Sequence, residues 1–253
     1  MDLKAQGLNA LVTGGTRGIG RAVVSAFLDE GVNVAFCART ADAVAETTQA
    51  LGGAAARAHG SVVDVGDAQA IQDWVTTSAA ELGGIDIVVS NVSALAIPDT
   101  EENWETTINV DLLGTVRLVK AAMPYLEKSQ HGSIVTISSV SGREVDFAAG
   151  PYGTIKTALV AYTQGLANQL ADKGIRANTV SPGNTYFAGG VWESIKHGNP
   201  DLFSTALGLN PTGRMGTPEE MAAAVVFLAC PISSFTTGTN LVVDGALTRG
   251  IHL

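Results

Sequence analysis

Short apolar runs alternate along the chain with segments whose apolar residues recur at helical spacing. Leu8–Val12, Val32–Ala38 and Ile85–Val89 are mainly apolar runs, as in parallel strands buried on both faces, and Ile175–Val180 gives another strand. Gly132-Ser133-Ile134-Val135-Thr136-Ile137 ends in the hydroxyls of Ser138 and Ser139, a further strand is expected within Ala55–Val63, and Asn240-Leu-Val-Val supplies the last. Between these runs, Ile19, Val23, Val24, Phe27 and Leu28 mark a helix that stops at Gly31. Ala41–Leu51 reads as a second, ended by Gly52-Gly53, and Asp67 caps a third that carries Ile71, Trp74, Val75 and Leu82 inward. One long helix is expected from Glu101 to about Leu126, another from Tyr152 to Ala171, and Thr217-Pro218-Glu219-Glu220 is a capping box that starts a last one. The alternation predicts an α/β fold, a doubly wound parallel sheet of about seven strands with helices on both faces. The irregular, aromatic-bearing stretch from Asn184 to Arg214 interrupts the pattern and is expected to form a partly helical lid.

Composition narrows the class. A chain of 253 residues, 46% apolar, can bury a full core as one domain over 1–253. No apolar run reaches the ~20 residues of a membrane span and no export signal opens the chain, so a cytoplasmic protein without a membrane partner is expected. The net charge of −9 argues against nucleic-acid binding while allowing a local basic pocket. Cys37 and Cys230 match no metal or redox spacing, which predicts two buried free thiols and no metal site.

The chemistry gathers at the predicted strand ends. Thr13-Gly14-Gly15-Thr16-Arg17-Gly18-Ile19-Gly20 lies between a strand and a helix, where glycines let the backbone approach a pyrophosphate and free N–H groups favour the anion. Arg39 follows the second strand, and no carboxylate appears before Asp42, so a 2′-phosphate is preferred there to a bare ribose hydroxyl. Arg17 offers a second cation to the same phosphate. Farther on, Tyr152 and Lys156 stand four apart on one helical face. An ammonium beside a phenol favours the phenolate, so a Tyr in that setting can exchange a proton with an alcohol or alkoxide. Ser139, at a strand end, can hold the reacting oxygen.

Taken together, Gly14-x-x-x-Gly18-x-Gly20 with Thr13, Asn91, Asn109, Ser139, Tyr152, Lys156, the Pro182-Gly183 turn and the closing Val243-Asp244-Gly245 resemble the short-chain dehydrogenase/reductase family over the whole chain, and especially its 3-oxoacyl-(acyl-carrier-protein) reductases. Ser139 precedes Tyr152 by thirteen residues, the family's usual interval, which prefers it to Ser138 or Ser141. The resemblance implies a single Rossmann-type domain and a catalytic group of Asn109, Ser139, Tyr152 and Lys156. It implies cofactor contacts from Gly14, Thr16, Arg17, Gly18, Ile19, Gly20, Arg39, Asp64, Val65, Asn91, Tyr152, Lys156, Pro182 and Gly183, with Asp64 fitting a plain turn residue equally well. The expected cofactor is NADP(H), with NAD(H) as the alternative. The expected reaction is hydride transfer between nicotinamide and a small-molecule ketone or secondary alcohol, with ketones or 3-oxoacyl thioesters leading. An oxidatively working alcohol or sugar dehydrogenase and a non-catalytic dinucleotide-binding sensor are the alternatives. A homo-oligomer, dimer or tetramer, is also implied. Three positions depart from the family's pattern: Ser90-Asn91-Val92-Ser93 lacks its usual glycine, Ala246 replaces a final glycine, and Phe187 stands where a Thr is usual, leaving Thr185 to make that contact or none to make it.

Overall fold

A computed structural model describes residues 2–52 and 58–250. Its centre is a seven-stranded, wholly parallel sheet of β1 (Asn9–Thr13), β2 (Asn33–Ala38), β3 (Ala58–Val62), β4 (Ile87–Ser90), β5 (Ser133–Ile137), β6 (Arg176–Pro182) and β7 (Asn240–Val243). The order is β3-β2-β1-β4-β5-β6-β7, with β1 paired to both β2 and β4. Chain direction across the sheet therefore reverses between β1 and β4. The loops leaving the carboxyl ends of these two strands part there and open a crevice. Of the stretch expected to hold β3, positions 55–57 lie outside the described residues, as does Gly53.

Successive side chains of each strand enter opposite layers, because the side-chain period of a strand is two. Val12 and Val89 pack with Val23, Phe27, Val225 and Leu228, from α1 (Gly18–Asp29) and α9 (Pro218–Ala229). Leu11 and Val88 point the other way, into Ile71 and Trp74 of α3 (Ala68–Leu82), Leu118 and Leu126 of α5 (Gly114–Leu126), and Leu166 of α6 (Pro151–Leu170). The remaining helices are α2 (Ala41–Leu51), α4 (Glu101–Thr107), α7 (Val191–Gly198) and α8 (Pro200–Gly208). Trp192, Ala206 and Met215 form a small separate cluster at α7 and α8 with Tyr186 and Phe203. The stretch expected as a lid is thus largely helical and has its own apolar centre.

Local chemistry accounts for the element boundaries. The Asp67 carboxylate accepts from the backbone N–H groups of Gln69 and Ala70, capping α3 as its sequence indicates. Buried Arg176 donates to the carbonyls of Leu228, Ala229 and Cys230, satisfying the open end of α9. One expectation is corrected. The stretch from Glu101 to Leu126 is not one α-helix, because Ile108–Leu113 between α4 and α5 is π-helical. Such a turn takes an extra residue into the helix and rotates the residues after it, a change frequent at functional sites.

The start of α9 carries a pH-dependent contact. Thr217 Oγ1 accepts from Glu220 N, and Glu220 Oε2 accepts from Thr217 N at 2.9 Å and from Arg214 at 2.8 Å. The Arg214 guanidinium, followed by the Thr217 backbone, lowers the Glu220 carboxyl from 4.5 to about 2. A lowered folded-state value means that the stabilisation is present above about pH 4.5 and is lost as pH falls through about 2. The pair is exposed, so its size is small. Glu220→Gln should lower Tm by a few degrees at most at neutral pH. Thermal scans of both proteins should show that gap closing below about pH 4.5.

Candidate active site

The crevice beside β1 and β4 is a cavity of 670 Å³. At one end its wall is made by the glycine loop, with Gly14, Thr16, Arg17, Gly18, Ile19 and Gly20 all reaching it, and by Arg39, Asp64 and Val65. Asn91 lies midway. Ser139, Tyr152 and Lys156 stand at the other end with Pro182, Gly183 and Thr185. Of the residues expected from the sequence to be catalytic or to touch the cofactor, only Asn109 does not line this cavity.

The glycine loop is held from both sides. Gly14 N and Gly15 N both donate to Cys37 O of β2, while Asn91 Nδ2 donates to Thr13 O at 3.0 Å and Gly14 O at 3.3 Å. Thr13 Oγ1 in turn accepts from Asn91 N. The turn demands glycine at two positions in particular. Gly18 has φ +52, and a Cβ on Gly20 would lie 2.1 Å from Gly14 O. Such a cradle of close backbone fits a pyrophosphate at the N-terminus of α1. Gly20→Ala must therefore push the loop away from α1, and the expected result is loss of dinucleotide binding in a fluorescence titration.

Two features of this end carry no signal in the sequence. The Phe187 ring lies directly over Gly18, 2.5 Å from where a Cβ would sit, so this departure puts an aromatic cover on the loop. Arg17 Nη1 donates to Gly189 O at 3.2 Å, tying the loop to the segment before α7. Arg39 is exposed and makes no hydrogen bond or ion pair among the described residues. Cys37 also reaches the cavity wall, and burial pushes its thiol up to about 12. Cys230 is pushed up to about 12 by burial as well. Both thiols stay protonated, and neither should react with a thiol reagent in the native protein at pH ~8. Rapid labelling of either one would show that its surroundings open.

At the other end, neighbouring groups distinguish the three serines. Ser138 Oγ donates to the backbone carbonyl of Lys156, and Ser141 Oγ donates to Asp146. Ser139 Oγ accepts only a 3.2 Å bond from Ser141 N and keeps its own proton free to give. The short turn after Ser139 is pressed on α6, since a Cβ on Gly142 would come within 2.8 Å of the Lys156 backbone. That close approach sets Ser139 relative to Tyr152. Lys156, only 2% exposed, donates to Ile137 O at 3.0 Å and lies 5.5 Å from the centroid of the Tyr152 ring.

Asn109 is placed elsewhere. Its Nδ2 donates to Gly66 O and its Oδ1 accepts from Arg117, so the amide is engaged on the far side of the helix. The π-helical register turns Asp111 inward instead. This carboxylate is fully buried, its Oδ1 accepting from Ala94 N at 2.8 Å and its Oδ2 lying 3.6 Å from Lys156 Nζ. A carboxylate within the apolar run Ile108-Asn-Val-Asp-Leu-Leu was the available signal, because an acid among such neighbours needs a partner.

A tyrosine phenol, a lysine and a serine hydroxyl thus share one cavity with a glycine-rich loop. The sequence model of the family described as enoyl-(acyl carrier protein) reductase matches residues 14–248. The chain belongs to the short-chain dehydrogenase/reductase family. Isoepoxydon dehydrogenase of Penicillium expansum is 42% identical over 257 residues, spanning 98% of this chain and 96% of that protein. Among solved structures, a short chain dehydrogenase from Burkholderia cenocepacia in complex with NADP superposes with a TM-score of 0.88 at 28% identity, over 96% of this chain and 99% of that one. L-sorbose reductase from Gluconobacter frateurii, complexed with NADPH and L-sorbose, gives 0.91 at 25% identity, over 99% and 100%. As a short-chain dehydrogenase/reductase, the protein is an oxidoreductase of alcohol and ketone groups. Among the described residues no cluster of His, Cys, Asp or Glu could hold a metal, and no helix is long and apolar enough to cross a membrane.

Proposed function

We propose that the protein is an NADP(H)-dependent reductase of ketones, with 3-oxoacyl thioesters among the candidate substrates. The observation that carries this reading is that one cavity holds both Arg39, without a partner among the described residues, and Tyr152 with Ser139. The close-packed glycines fit a dinucleotide lying along the crevice. When bound, the nicotinamide cofactor supplies or accepts the hydride. Ser139 Oγ donates to the substrate oxygen and fixes its position. Tyr152 passes its hydroxyl proton to that oxygen as negative charge develops there. Lys156 stabilises the phenolate that remains. Arg39 meets the 2′-phosphate, supported by Arg17 when its contact with Gly189 opens.

Phe147 and Trp192 meet edge to face at 6.0 Å beside this group and give the substrate end an aromatic wall. In this reading α7 and α8 form a lid whose movement admits the substrate, and the chain is one domain that assembles as a homo-oligomer. A panel of ketones and 3-oxoacyl thioesters, followed by the loss of NADPH absorbance, tests the substrate class. Turnover of none of them, or a strong preference for NADH, would sink this reading. A second reading, oxidation of a secondary alcohol, is favoured by the likeness to isoepoxydon dehydrogenase, and the same panel run with NADP and alcohols separates the two.

A further inference from the structure

Lys156 does not face Tyr152 as a lone cation. On its other side lies Asp111, and this pair stands out among the ion pairs of the described residues because both side chains are buried, at 3% and 0% exposure. The others, Lys173 with Glu127, Arg214 with Glu220 and the contact of His59 with Glu81, are all substantially exposed. Solvent screens such surface pairs, whereas charges deep in the protein act on one another over several ångströms. Asp111 Oδ1 is already engaged by Ala94 N. Its Oδ2 has no hydrogen-bond partner among the described residues, and the cation facing it is the Lys156 ammonium at 3.6 Å.

We propose that Asp111 is a positioning residue that offsets the charge Lys156 presents to Tyr152 and so sets the pH range in which Tyr152 exchanges its proton. The inference rests on the reading of Tyr152 as the proton-transferring group. The Lys156 ammonium is shared between the carboxylate, at 3.6 Å, and the phenol ring, at 5.5 Å from its centroid. The carboxylate draws Lys156 Nζ towards Ile137 O and the π-helical stretch, and it cancels at the phenol a large part of the field of the ammonium. The other charged side chains that line the cavity are engaged or belong to the glycine-loop side. Asp146, from the loop after β5, is engaged by Ser141 Oγ and Ala148 N. Arg117, from α5, is turned to Gly66 O and Asn109. Arg17, Arg39 and Asp64 lie at the opposite end of the cavity. The π-helical turn contributes directly, since it is what brings Asp111 inward while Asn109 faces Gly66.

Asp111→Asn removes the negative charge while keeping the shape and an oxygen for Ala94 N. With the ammonium uncompensated, the phenolate of Tyr152 is favoured at lower pH. The test is an ultraviolet titration of tyrosinate in the full chain, in which the spectrum of Tyr152→Phe is subtracted to isolate Tyr152. The same subtraction is made in the Asp111→Asn background. The midpoint for Tyr152 should move to lower pH by about one unit, and Asp111→Ser, which is smaller and equally neutral, should move it the same way. Midpoints that coincide with wild type, or that move to higher pH, would overturn the proposal. So would failure of both variants to fold, because the carboxylate would then be required for the fold. The readout needs no substrate, so it is separable from the catalytic reading: turnover surviving in Tyr152→Phe would remove that reading whatever the titration shows.

Discussion

Tyr152→Phe should lower kcat by roughly 10²–10⁴-fold, the range contributed by a positioned proton donor, and leave the NADPH dissociation constant within about twofold of wild type. Phe preserves the ring that α6 presents to the cavity and the surface over which Lys156 Nζ lies, 5.5 Å from the ring centroid. Only the hydroxyl is lost. Ser139 still orients the substrate oxygen, but no described group beside it can replace the proton, because Ser138 and Ser141 are committed to the Lys156 carbonyl and to Asp146. Steady-state kinetics with an NADPH fluorescence titration separate the two quantities. Undiminished turnover would mean that the proton comes from elsewhere, and loss of cofactor binding alone would make Tyr152 a binding residue. The same variant addresses the sensor alternative, since a protein that only binds nucleotide shows no turnover to lose.

Arg39→Ala is expected to weaken NADPH binding by about 10- to 100-fold and to change NADH binding little. A charge-assisted contact contributes about 1.5–3 kcal/mol, and each ~1.4 kcal/mol is a factor of ten. Arg39 stands at the cavity wall just beyond β2, exposed and without a partner among the described residues. Arg17 is held by Gly189 O, so the loss of Arg39 is not covered by a second cation already in place. The ratio of kcat/KM for NADPH over NADH, measured in both proteins, gives the effect directly. An unchanged ratio would show that the 2′-phosphate, if it is read at all, is read elsewhere.

The frame of the molecule was legible because each strand and helix carries its own local signal. The apolar runs around Val12 and Val89 can be buried on both faces only as central strands, Ala41–Leu51 is a helix over those very residues, and the Thr217–Glu220 capping box forms as its spacing requires. That the glycine loop, Ser139, Tyr152 and Lys156 would meet at one crevice was legible for the same reason, since each follows or faces a recognisable strand end. That the Asn109 amide meets Gly66 O and Arg117 was not legible, because its direction depends on a π-helical turn. Such a turn has no fixed pattern in the sequence. Asp111, two positions on, therefore went unnoticed although it is the buried partner of Lys156. Phe187 was marked as a departure, but its cover over Gly18 was not legible because the ring meets Gly18 only after the chain beyond β6 folds back, a contact between residues distant in sequence.

The central claim, carbonyl–alcohol hydride transfer with the proton from Tyr152, is tested most directly by following the hydride. NADPH deuterated at the transferable position of its nicotinamide ring is incubated with the fastest ketone of the panel, and the product is examined by mass spectrometry and NMR. The expected product carries one deuterium on the new carbinol carbon, with Tyr152→Phe forming it roughly 10²–10⁴-fold more slowly. Deuterium at the carbon β to an intact carbonyl, as in hydride addition to a conjugated carbon–carbon double bond, or an equal rate of product formation by the variant, would contradict that claim.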